Sequence, residues 1–204
     1  MIKAKTLALI MAVMLFALSA CNSADSKTPN NAIMLANLSG EQKEIINLIS
    51  AHQEVMIFVF STDESYRGFE LWVEVYKNGE LIERPAGVST YSDTAIKHNG
   101  RFAITISQYD STYEWALTSS ENGGYASHIG TWALTDDSGF TRAFGAMNDS
   151  ASIENEQEII IYSSTFLETN VAVHPAYDTQ TLQERPELLT EYAYAHLIKV
   201  KFTS

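Results

Sequence analysis

FELWVEVYKNGELIE, residues 69–83, decides the fold. Phe69, Leu71, Val73 and Val75 alternate with Glu70, Trp72, Glu74 and Tyr76. Successive strand side chains point to opposite faces, so this period of two separates an apolar row from a charged and aromatic one. Asn78-Gly79 follows at once. Asn-Gly is the favoured pair for a type I′ hairpin turn, whose central residues both need positive φ. A two-residue loop pairs Val75 with Ile82 on the buried face and Lys77 with Glu80 beside the turn. The stretch reads as an antiparallel hairpin with one face toward a core.

The same pattern extends in both directions. Asn99-Gly100, Asn122-Gly123, QYDST at 108–112 and TDDSG at 135–139 mark turns, as does the stretch from Arg84 to Asp93. Between them RFAITISQ, YEWALTSS, YASHIGTWAL and FTRAFGAM read as strands of an antiparallel meander. Upstream, VMIFVF at 55–60 is a short buried strand. The polar NDSASIENEQ, 148–157, interrupts the meander, and EIIIYSSTF after it barely alternates, which predicts cover on both faces. Residues 178–192 read as irregular, with one short helix that Pro186 starts. In the final strand, AHLIKVKF, Ile198, Val200 and Phe202 face inward and Lys199 and Lys201 outward, which suits an edge position.

Ahead of the strands, Ser39-Gly40-Glu41-Gln42 forms a capping box that opens a short helix ending near His52. Ile45, Ile46, Leu48 and Ile49 fall on one of its faces. About ten strands with short turns predict an all-β fold, an antiparallel β-sandwich with a short N-terminal helix. The alternative is a closed up-and-down β-barrel, which uses the same hairpins. Gly130-Thr131-Trp132 resembles the Gly-x-Trp of lipocalins, although there the motif lies near the first barrel strand and here it is mid-chain.

The first residues are MIKAKTLALIMAVMLFALSAC, and Cys21 is the single cysteine of the 204 residues. Lys3 and Lys5 precede an apolar run from Leu7 to Leu18. That run is short of the about 20 residues needed to cross a ~30 Å hydrocarbon core, and has the length of a signal-peptide core. Ordinary secretory cleavage after Ala20 wants a small residue where Leu18 stands. Leu18-Ser19-Ala20-Cys21 closely resembles the lipobox of bacterial lipoproteins. That resemblance implies a signal peptide over 1–20 and a diacylglyceryl group, with palmitate among its acyl chains, on Cys21. The polar NSADSKTPNN reads as part of a flexible tether over 21–36, ahead of a single β-rich domain over 37–204.

Charge agrees with a lipid anchor. With 13 Lys and Arg against 25 Asp and Glu the chain carries −12, and loss of Lys3 and Lys5 takes it to −14. So acidic a protein has no electrostatic route to nucleic acid or to anionic lipid. Two acyl chains, at ~0.8 kcal/mol per buried CH₂, hold a protein to a bilayer without one. The expected location is the extracytoplasmic side of a cell membrane. The expected partners are the membrane itself and an envelope protein or glycan.

Few residues point to chemistry. No nucleophile elbow, zinc-helix pair, phosphate loop or EF-hand pattern occurs. His52, His98, His128, His174 and His196 are scattered, with no local ligand pair, and the sequence predicts neither metal nor cofactor. His128 and His196 are expected to be hydrogen-bonded or on the surface. Asp136, Asp137, Asp149, Glu154, Glu156 and Glu158 read as solvated turn residues rather than calcium ligands. The candidate contact is the second face of the opening hairpin, where Trp72 and Tyr76 alternate with Glu70 and Glu74. Flat aromatic surface beside carboxylates stacks on a sugar or meets a protein partner, unless the N-terminal helix caps it. The expected role is non-catalytic binding or assembly. An envelope hydrolase using converging carboxylates and a lipocalin-like carrier of an apolar ligand are the alternatives.

Overall fold

A computed structural model describes residues 28–50, 53–121, 123–134, 139–168 and 176–204. Cys21 and its lipobox, His52, Asn122, Asp136, Asp137 and His174 lie outside the described residues. Two antiparallel sheets pack face to face. The first runs in the order β10 (Ala151–Ser152), β1 (Ala32–Leu35), β2 (Glu54–Ser61), β6 (Asn99–Tyr109), β7 (Thr112–Glu121) and β8 (Gly124–Ala133). The second joins β4 (Glu80–Glu83), β3 (Tyr66–Lys77), β12 (Tyr194–Thr203), β11 (Glu158–Glu168) and β9 (Phe140–Ala146). Strand β5 (Gly87–Ile96) also pairs with β3. Among the described residues each sheet has two open ends, so the fold is the sandwich and not the closed barrel.

Alternation fills the space between the sheets as the sequence predicts. Phe69, Leu71, Val73 and Val75 are all buried in one core with Phe58, Phe60, Phe102 and Phe202. Phe60 stacks on Phe102 at 4.5 Å, and Phe69 meets Phe102 edge-on at 5.0 Å. Such pairs each add ~1 kcal/mol beyond the area they bury.

The hairpin of the opening stretch turns at Asn78-Gly79, with φ of 49° and 82°. Lys77 pairs with Glu80 as expected, but Val75 faces Glu83 because the register slips between Val75 and Tyr76. Ile82 becomes the extra residue of a bulge and is 48% exposed. A bulge bends its strand, and here Arg84 just beyond it reaches back to Glu74 at 2.6 Å.

Other elements depart from expectation for identifiable reasons. Ala32–Leu35, in the stretch read as tether, is β1, held between β2 and β10 with Ile33 fully buried. Arg84 to Asp93 is not a turn, since β5 begins at Gly87. Asn99-Gly100 lies inside β6, paired to Ser61 and Phe60. The meander holds for β6, β7 and β8, but β9 crosses to the second sheet and pairs with β11. Strand β12 is central, between β3 and β11, so Lys199 and Lys201 do not guard an edge.

Helix α1 (Gly40–Ser50) opens with the expected box: Gln42 accepts from the Ser39 amide at 2.9 Å and donates its own amide to Ser39 Oγ. It does not cap the sheet, and Leu48 and Ile49 are more than three-quarters exposed. The cover lies elsewhere. Helix α2 (Thr179–Glu184) and a 3₁₀ helix over Pro186–Glu191 place Leu182, Leu188 and Leu189 on Ile160, Leu167 and Leu197. Asp178 caps α2 by accepting from the Thr181 amide at 2.7 Å. This layer explains why β11 is buried on both faces. Among the described residues no helix covers β8 in the same way.

Candidate functional site

The face of β3 that carries Glu70, Trp72, Glu74 and Tyr76 lies against β12. Register places Glu70 beside Lys201, Trp72 beside Lys199, Glu74 beside Leu197 and Tyr76 beside Ala195. Two alternating strands of opposite charge thereby meet, and β11 adds Glu158, opposite Lys201. Glu74 sits at the centre, 1% exposed. Its carboxylate accepts from Trp72 Nε1 at 2.9 Å, Tyr76 OH at 2.5 Å and Arg84 Nη2 at 2.6 Å. Lys199 Nζ lies 2.8 Å from the other side and bridges to Glu158 at 2.9 Å.

The electrostatics follow from that shell. Burial alone would raise the Glu74 carboxyl, but hydrogen bonds from Lys199, Tyr76 and Trp72 hold it down to about 2. Burial and the bond to this carboxylate push the Tyr76 phenol up to about 12. Burial works against the Lys199 ammonium, yet its bonds to Glu74 and Glu158 leave it raised. Glu74 therefore stays ionised, with four donors on two oxygens. The carboxylate is neither a proton acceptor at neutral pH nor open to a ligand.

The flat aromatic surface expected here is closed. Trp72 is 7% exposed, with the Arg84 guanidinium 5.6 Å from its ring. Tyr76 is half-buried beside the α2 layer rather than under α1. Glu70, exposed and 3.9 Å from Lys201, is the one expected contact residue that faces solvent. Arg84, Glu158 and Lys199 complete the cluster without having been read as part of it. The available signal was the match between Lys199 and Lys201 on one strand and Glu70 and Glu74 on another.

A second polar group sits inside the sandwich and escaped the sequence altogether. Arg142 of β9 bonds Glu54 at 2.6 Å, Tyr162 OH at 2.8 Å and Ser164 Oγ at 2.6 Å, while Tyr162 donates to Glu54 at 2.8 Å. Beyond it His196 is 1% exposed, enclosed by Tyr113, Trp115, Trp132 and Phe166 at ring distances of 4.7–5.1 Å. His196 is thus neither on the surface nor fully bonded: its Nε2 and the Trp115 Nε1 have no hydrogen-bond partner among the described residues. Burial, with the Arg142 charge, depresses its imidazole to about 3. His128, by contrast, bonds the Gly87 backbone as expected. No three His, Cys, Asp or Glu side chains group as metal ligands among the described residues.

Most of the chain matches a known protein family. A family model described as YgaN domain covers residues 32–202, from the first residue of β1 to the penultimate residue of β12. No curated protein and no solved structure matches the chain. No described helix is long and apolar enough to cross a membrane.

Proposed function

The chain belongs to the YgaN domain family, and from the sandwich described above we propose that it is a non-catalytic binding or assembly module, held by lipid on Cys21 at the extracytoplasmic face of a bacterial membrane. The carrying observation is the state of its buried carboxylate. Glu74 is saturated by Trp72, Tyr76, Arg84 and Lys199, so this buried carboxylate is not free to serve a hydrolase. Glu158 approaches Glu74 only through Lys199, which neutralises the pair instead of leaving one member as acid and the other as base. A carrier for an apolar ligand is disfavoured by the same interior, where Phe60, Phe69, Phe102 and Phe202 fill the centre ring against ring. What the hairpin face offers a glycan or protein partner is Glu70 and the half-exposed Arg84.

The lipid anchor rests on the resemblance of Leu18-Ser19-Ala20-Cys21 to a lipobox and on an acidic chain that charge does not bring to a membrane. Cys21→Ala removes the only thiol. Cells fed labelled palmitate will incorporate it into the wild-type chain and not into the variant, which will move to the soluble fraction. Equal labelling of the two proteins overturns the anchor.

A further inference from the structure

We propose that β8 is a self-association edge, through which two copies of this chain join their first sheets about a two-fold axis at Ser127. Edge strands present unpaired N–H and C=O groups, and proteins that stay monomeric blunt them with charge, proline, bulges or brevity. Three of the edges here are blunted. Strand β10 has two residues; β4 carries Glu80 and Glu83; β5, beside it, carries Asp93 and a register shift. Strand β9 carries Arg142. Strand β8 has ten residues, GYASHIGTWA, pairs only with β7 among the described residues, in unbroken register, and contains no Asp, Glu, Lys, Arg or Pro. Its one histidine, His128, is tied to the Gly87 backbone of the opposite sheet.

The strand is also complementary to itself. Gly130 lies so close to the Pro85 carbonyl that an added Cβ would come within 2.1 Å of its oxygen, and Trp132 packs on the core, so even-numbered residues face inward. Tyr125, Ser127 and Ile129 therefore line the outer face, with Tyr125 and Ile129 80% and 61% exposed. Antiparallel pairing about Ser127 sets Tyr125 opposite the other copy's Ile129, twice, an aromatic against a β-branched side chain. Charge selects the same place, because two chains of net −12 approach best where neither presents a charge. Pairing from Gly124 to Gly130 alone makes a small interface, so the dimer is a reversible one.

The inference is independent of the lipid on Cys21. Cells expressing the full chain with Cys21→Ala and Ser127→Cys, oxidised mildly, test it, the introduced thiol being the only one. Opposed residues of an antiparallel pair have Cα atoms ~4.5–5.5 Å apart, inside the disulfide range. A reducible species of twice the chain mass is expected. Thr118→Cys, the cross-strand neighbour on β7, stays monomeric, since one strand further in on each side leaves ~14 Å between the thiols. Ser127→Lys sets two ammonium groups face to face, and light scattering on the purified Cys21→Ala chain will show the mass halve with an unchanged far-ultraviolet spectrum. If Ser127→Lys does not fold, the disulfide decides. A folded Ser127→Cys chain that gives no doubled species, or links only to a protein of another mass, overturns the proposal.

Discussion

Glu74→Ala is expected to destabilise the domain by about 3 kcal/mol, the lower end for breaking a buried ion pair. Glu74 is 1% exposed and accepts from four donors. Its removal leaves the Trp72 indole and the Tyr76 phenol without their acceptor, and takes from the largely buried Lys199 one of its two carboxylates. Glu158 still holds Lys199, which keeps the loss below that of an ammonium left wholly unpaired. Arg84 contributes little, because it is more than half exposed and its pair is screened by solvent. In a protein of this size the loss lowers the melting temperature by roughly 6–12 °C. Glu74→Gln/Lys199→Met, which retains an acceptor and removes the buried charge, should recover at least ~1 kcal/mol of it, a coupling that a double-mutant cycle measures. A single variant that melts within a degree or two of wild type would show that the cluster is not what holds this face together.

Stability will also fall as pH drops below 6.5, and His196 is the first cause. Its pKa is 6.5 when unfolded and about 3 in the buried box. Above 6.5 neither state holds the proton and the group is silent. Below it the unfolded chain takes a proton that the folded one refuses, so stability declines by about 1.4 kcal/mol per pH unit until the folded pKa is reached. Glu74 acts in the same direction later, since its contribution is complete above 4.5 and is lost as pH falls toward about 2. Between 6.5 and 4.5 the slope is that of His196, close to 3 kcal/mol in all. His196→Phe keeps a ring among Tyr113, Trp115, Trp132 and Phe166 and should flatten that segment in urea titrations. Parallel curves for the two proteins would place the acid sensitivity elsewhere.

The parts of this molecule that were legible in the sequence are those set by neighbours along the chain. Asn78-Gly79 turns as its φ preference dictates, Ser39 and Gln42 cap α1, and alternation in β3 and β12 assigns the inward rows correctly. Illegible were features that depend on what arrives from far away. Outward lysines on β12 look the same whether the strand is an edge or lies beside a row of glutamates on β3, more than a hundred residues earlier. The four residues of β1 are too few to show a period, and only pairing with β2 and β10 makes them a strand. The bulge at Ile82 leaves no local mark, although it changes which residue reaches Glu74. On the hairpin face Trp72 and Tyr76 shield the Glu74 carboxylate instead of standing open, which depends on Arg84 and Lys199 arriving beside it.

One more consequence follows from β1. Because this strand is zipped between β2 on one side and β10 on the other, a pull directed along its axis loads two ladders at once. Both ladders then carry the load in parallel and must slide together, instead of opening one rung at a time, while Ile33 is dragged out of the apolar interior. Tension along that axis thus meets the domain in shear, where the rungs of both ladders share it.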